Sequence, residues 1–88
     1  MQEDLIQLTE EWVALDDYIT VESDTNYFLQ NRGQNILITQ VASSKPETSD
    51  IEGDLILPYI QALYKKGTGN LYMRAFNNTC SVNVTKGE

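Results

Sequence analysis

The sequence predicts an all-β protein, a small antiparallel β-sandwich or barrel of about 7–8 short strands. Three observations carry this. Short runs rich in Val, Ile, Thr, Tyr and Phe recur along the 88 residues, separated by Gly, Pro, Asn, Asp and Ser clusters, which is the punctuation of strands and turns. The run Cys80-Ser81-Val82-Asn83-Val84-Thr85 alternates apolar and polar without a break, the period of a strand with one face in a core. No segment sustains the apolar period of a helix.

The densest apolar stretch lies at 27–42. Tyr27-Phe28-Leu29-Gln30-Asn31 is followed by a break at Arg32-Gly33-Gln34, then by Asn35-Ile36-Leu37-Ile38-Thr39-Gln40-Val41-Ala42. This reads as a strand, a turn and a strand, with Gly33 free to take the positive φ of a tight connection. In the second run Ile36 and Ile38 point one way, and Leu37 and Val41 the other, because side chains alternate along a strand. A strand apolar on both faces is usually covered on both. In so small a chain the second cover is expected from another subunit. Leu71, Met73 and Ala75, opposite Tyr72 and Phe76, repeat the pattern. Leu37, Val41, Leu71 and Met73 are therefore the expected oligomer interface.

Taken in order, residues 1–11 read as an acidic N-terminal arm, and 12–88 as a single sandwich domain. Leu5, Ile6 and Leu8 are the arm's expected docking residues, since a small sandwich has little room to bury them and strand addition to a partner's open edge would. A frayed terminus, a short helix and a strand folded back on its own subunit are the alternatives. Trp12-Val13-Ala14-Leu15 forms a first strand, Asp16-Asp17 a turn, and Tyr18-Ile19-Thr20-Val21 a second strand. Ser23-Asp24-Thr25-Asn26 is turn chemistry. After Ala42 comes a long polar connection, 43–53, punctuated by Pro46 and Gly53, near the length at which loops are functional or mobile. Residues 54–58 read as a short strand, with Pro58 at an edge or strand end. Residues 59–66 fit a helix or a strand, and their surroundings favour the strand. A two-glycine turn at 66–70, a strand at 71–76, a turn at 77–79 and a last strand at 80–85 complete the chain. In that last strand Cys80, Val82 and Val84 face inward.

Charge and composition exclude several function classes. Thirteen acids against six bases give a net charge of −7, the opposite of a nucleic-acid surface. Residues 1–24 hold eight of the acids and no base. No run approaches the roughly 20 apolar residues of a membrane-spanning helix. The start lacks the basic and apolar regions of a signal peptide, so synthesis in the cytoplasm is expected. Cys80 is the single cysteine, which fits a reducing compartment.

The chemistry-bearing residues point away from catalysis. With no histidine in the chain, the commonest general base and transition-metal ligand is missing. Cys80 reads as a buried structural thiol. Asp16-Asp17 diverge in a turn. Asp50, Glu52 and Asp54 have the spacing that opens a calcium loop, but Gly53 is misplaced for it and the distal glutamate is missing. Lys66-Gly67-Thr68-Gly69 puts its lysine before the glycines, unlike a phosphate loop. The triplets at Asn77 and Asn83 match a glycosylation signal by chance. The aromatics read as core, with a sugar-binding platform as the functional alternative. No enzyme activity, cofactor or metal is expected.

Several segments, in order, resemble small β-sandwich virion proteins of tailed bacteriophages. They are Tyr27-Phe28-Leu29-Gln30-Asn31-Arg32-Gly33, the Ser43-Ser44-Lys45-Pro46 loop, Gly53-Asp54-Leu55-Ile56-Leu57-Pro58, and Gly69-Asn70-Leu71-Tyr72-Met73-Arg74-Ala75. The likeness covers about residues 12–85. It implies a non-enzymatic structural protein of the virion, self-associating as a homotrimer and docking on other virion proteins as a capsid decoration or knob, or as a tail or fibre part. A receptor- or glycan-binding fibre tip is the alternative it leaves.

Overall fold

The computed structural model describes residues 3–65, 67 and 69–87. Among them eight strands occur: β1 (Glu3–Leu8), β2 (Val13–Ala14), β3 (Asn26–Asn31), β4 (Leu37–Ala42), β5 (Asp54–Ile56), β6 (Gln61–Lys65), β7 (Asn70–Ala75) and β8 (Cys80–Lys86). They form two four-stranded antiparallel sheets, ordered β1-β8-β3-β6 and β2-β7-β4-β5. The fold is a β-sandwich. Leu15–Asp17, a single 3-10 turn, is the helical element of the described residues.

Alternation assigns the faces. In the first sheet Ile6, Leu8, Tyr27, Leu29, Val82, Val84 and Cys80 turn inward, while Leu5, Phe28, Leu63, Ser81, Asn83 and Thr85 turn out. From the second sheet Leu37, Met73, Ala75, Leu71 and Ile56 meet them. Each fully buried Leu or Met stabilises the fold by about 1.5–3 kcal/mol. The alternation expected of the last strand holds, with Cys80, Val82 and Val84 all at 2% exposure or less.

Four expectations change. The 27–42 stretch is not a hairpin: β3 and β4 lie in different sheets, and residues 32–36 cross between them. Gly33 takes no positive φ; a Cβ there would lie 3.0 Å from the Ser81 amide nitrogen, so close backbone approach is what the site requires. Of the first two predicted strands only Val13–Ala14 pairs, and 18–21 is irregular. There Ile19 and Val21 pack against the core without joining a ladder.

The N-terminal segment is the third correction. Glu3–Leu8 pairs along its whole length with β8 of its own chain, from Glu3 opposite Thr85 to Leu8 opposite Cys80. Ile6 and Leu8 fill the core at 4% and 1% exposure. Strand β1 completes the sandwich and is not a free arm; of the three expected docking residues only Leu5 is exposed.

The last correction concerns the second apolar face. Ile38 and Tyr72 lie on the outer side of the second sheet, where Trp12, at 0% exposure, covers them together with Ala14, Ala42 and Phe76. The 43–53 connection closes over this layer. Trp12 Nε1 donates to the Asp50 carbonyl at 2.8 Å, Arg74 to Thr48 at 2.6 Å, and Gln40 to Glu52 at 2.7 Å. The cover expected from another subunit is supplied by the chain itself. Leu37, Leu71 and Met73 lie in the protomer's own core at 5% exposure or less, and Val41 alone of that set is exposed.

Candidate interaction surface

Exposed apolar side chains concentrate on one edge of the sandwich. Strands β5 and β6 are the outer strands of their two sheets on the same side, joined by residues 57–60. Leu55, Leu57, Tyr59, Ile60 and Leu63 on this stretch are each more than half exposed. Scattered surface leucines are ordinary, but a contiguous apolar segment marks an interaction site. Its electrostatics are distinctive too. From residue 55 to 87 the sequence has no Asp or Glu, so the exposed 55–63 stretch itself carries no acid, and Asp54, the first residue of β5, is the acid that adjoins it.

A buried asparagine shapes the edge. Asn31, at 0% exposure, ends β3 and spends its whole amide on main-chain and thiol partners. Its Nδ2 donates to the carbonyls of Asn35 at 2.8 Å and Ile56 at 2.9 Å. Its Oδ1 accepts the Gly33 amide at 2.9 Å and lies 3.2 Å from Cys80 Sγ. The main chain of Asn31 then holds the β5–β6 connection, accepting from Tyr59 N at 2.7 Å and donating to Ile60 O at 3.0 Å. Within that clamp Tyr59 has φ of 66°, a left-handed conformation that costs a bulky L-residue energy. The clamp fixes the backbone, and the ring projects into solvent.

Two further features border this edge. A cleft of about 200 Å³ opens between the sheets, lined by Leu29, Val41, Ala62, Tyr64 and Leu71, with Thr39, Asp54 and Lys65 also contributing. Tyr64 is buried and, among the described residues, its hydroxyl has no hydrogen-bond partner. Burial first, then the charge of Asp16 and the neighbouring Tyr27, push its pKa above the ordinary phenol value. Cys80 is a buried thiol whose pKa burial raises, against an opposing hydrogen bond from the Gly33 backbone.

The remaining sequence candidates fall apart in space. Among the described residues no three His, Cys, Asp or Glu side chains converge as a metal site. Asp50 Oδ1 accepts the Glu52 amide at 3.0 Å, capping its own loop. Asp16 and Asp17 are exposed on the 3-10 turn. Arg74, which composition did not single out, is 4% exposed. It donates to the carbonyls of Ala75 at 2.9 Å and Thr48 at 2.6 Å, with its guanidinium 5.9 Å from the Trp12 ring centre. It pins the 43–53 connection and does not reach the surface. Comparison with known proteins finds no matching family model, no matching curated sequence and no matching solved structure.

Proposed function

We propose that this chain is a non-enzymatic structural protein of a bacteriophage virion, made in the host cytoplasm, which associates with itself and docks on a capsid or tail protein. The observation that carries an assembly role is the exposed, acid-free apolar edge at 55–63, held in shape by the Asn31 clamp. The virion setting and a three-fold arrangement rest on the motif resemblance. Docking uses Leu55, Leu57 and Tyr59, whose fixed backbone lowers the ordering cost of binding. The test is to purify particles, look for the chain at stoichiometric copy number, and compare wild type with Leu57→Asp and Tyr59→Asp for binding to particles stripped of it. Absence from the particle overturns the reading.

A glycan- or receptor-binding fibre tip is the second reading. Its support is the pair of outward rings, Tyr59 at 62% and Tyr18 at 49% exposure, since exposed tyrosines suit sugar stacking. A glycan array with a hit abolished by Tyr59→Ala would favour it over docking on a virion protein.

A further inference from the structure

The two outer strands of the first sheet, β1 and β6, each present an exposed leucine on the same outer face. Leu5 is 62% exposed and Leu63 is 61% exposed. Both are the outer strands of their sheet, with no further strand beside them among the described residues, and such an edge is a template for another strand unless something blunts it. Neither strand contains proline.

We propose that copies of this chain join head to tail, the β6 edge of one pairing with the β1 edge of the next. This deepens the self-association in the proposed function and rests on that reading. The direction is right: β1 runs antiparallel to β8, β8 to β3, and β3 to β6. Strand β1 of a copy continuing the sheet in the same sense therefore meets β6 antiparallel. One register matches the two edges. With Leu63 opposite Leu5 of the next copy, Lys65 falls opposite Glu3 and Gln61 opposite Gln7, while Ala62 falls opposite Ile6. Tyr64 falls opposite Asp4, while leucine meets leucine, a base is paired in position with an acid, amide meets amide and a small residue meets a large one. Cross-strand pairs of these kinds stabilise a ladder.

Charge favours this arrangement over pairing like edges. The chain carries −7, with eight acids before residue 25 and none from 55 to 87, so two β1 edges repel while β1 and β6 attract. A head-to-tail contact is heterologous, and it closes into a ring or grows as a filament according to the rotation per step.

The test uses two variants, each blocking one edge: Leu5→Lys and Leu63→Lys. Both sites are exposed, and circular dichroism checks that each variant keeps its β signature. Sedimentation across a concentration series should show wild type as an oligomer and each variant alone as a monomer. Mixing them should give a one-to-one dimer that grows no further, because one intact β6 edge and one intact β1 edge remain. In a second pair, Lys65→Glu should weaken association several-fold and adding Glu3→Lys should restore it. A Leu5→Lys variant that still self-associates shows β6 pairing with itself and overturns the proposal. So does a mixture that stays monomeric, or a wild type that is monomeric throughout. A monomeric wild type that still binds particles would sink head-to-tail pairing and leave the docking role standing, so the two failures are distinguishable.

Discussion

The amide of Tyr59 donates to the carbonyl of Asn31 at 2.7 Å, and this one bond holds a left-handed tyrosine at the most exposed corner of the apolar edge. Strain of this kind persists where surrounding contacts over-determine the backbone, and it gathers at functional positions. Replacing Tyr59 with Asn, which tolerates φ above zero, should stabilise the fold by about 1 kcal/mol in urea unfolding while weakening particle binding. A destabilised variant would show that the ring, for all its exposure, supports the fold.

Asn31→Ala should be among the costliest single changes. It leaves the buried carbonyl of Ile56 and the part-buried Asn35 carbonyl and Gly33 amide without their partner, with a loss on the order of 2–3 kcal/mol. Hydrogen exchange at the Gly33 amide should speed up beyond the global destabilisation, because the substitution removes the Oδ1 that accepts it, while the Tyr59 amide keeps its main-chain acceptor.

Arg74→Ala should free the 43–53 connection. The variant loses the bond to Thr48 and the stack on Trp12, and uncovers Ile38 and Tyr72. A stability loss of roughly 2–4 kcal/mol, with faster proteolytic nicking between residues 43 and 53, is the expected pair of outcomes. Trp12→Phe should keep most of the burial but lose the bond to Asp50, and so cost less.

Stability should fall on the alkaline side. The pKa values of Cys80 and Tyr64 are raised by burial from ordinary values of 9.0 and 10.0. Below those values both groups are neutral folded and unfolded; above them the unfolded chain ionises first, so it binds fewer protons and the folded state loses ground. The stabilisation is therefore intact below about pH 9 and declines as pH rises through the folded values. Cys80→Ala should flatten the first part of that decline and Tyr64→Phe the second, measured as melting temperature against pH.

At neutral pH Tyr64→Phe should be neutral or stabilising by on the order of 1 kcal/mol, since it removes a buried hydroxyl that has no partner among the described residues. A loss of 2 kcal/mol or more would mean that this hydroxyl holds a bond.

What the sequence determined was whatever depends on neighbours along the chain. Alternation over 80–85 set which residues of β8 face the core. Strand signals placed β5, β6 and β7 within a residue or two of where they lie, and Ser23-Asp24-Thr25 made its turn, with Asp24 at φ 58°. The all-β class followed from these local patterns, whereas residues 55–63 read only as strand and their exposure came from the fold.

What the tertiary structure decided was which strands meet. Periodicity gives a strand two faces but not its partner, so the 27–42 stretch looked like a hairpin until β3 and β4 were found in opposite sheets. Two-sided apolar strands called for a second cover, and only the folded chain shows it to be Trp12 and the 43–53 connection, brought across from other parts of the chain. Asn31 is the sharpest case. Gly33 and Asn35 are local partners, but Ile56 and Cys80 lie 25 and 49 residues away, and no local pattern marks an amide that ties these distant segments together. The fate of Leu5, Ile6 and Leu8 turned on the same physics. An apolar acidic segment reads alike as an arm or an edge strand, and only the open edge of β8 made it the latter.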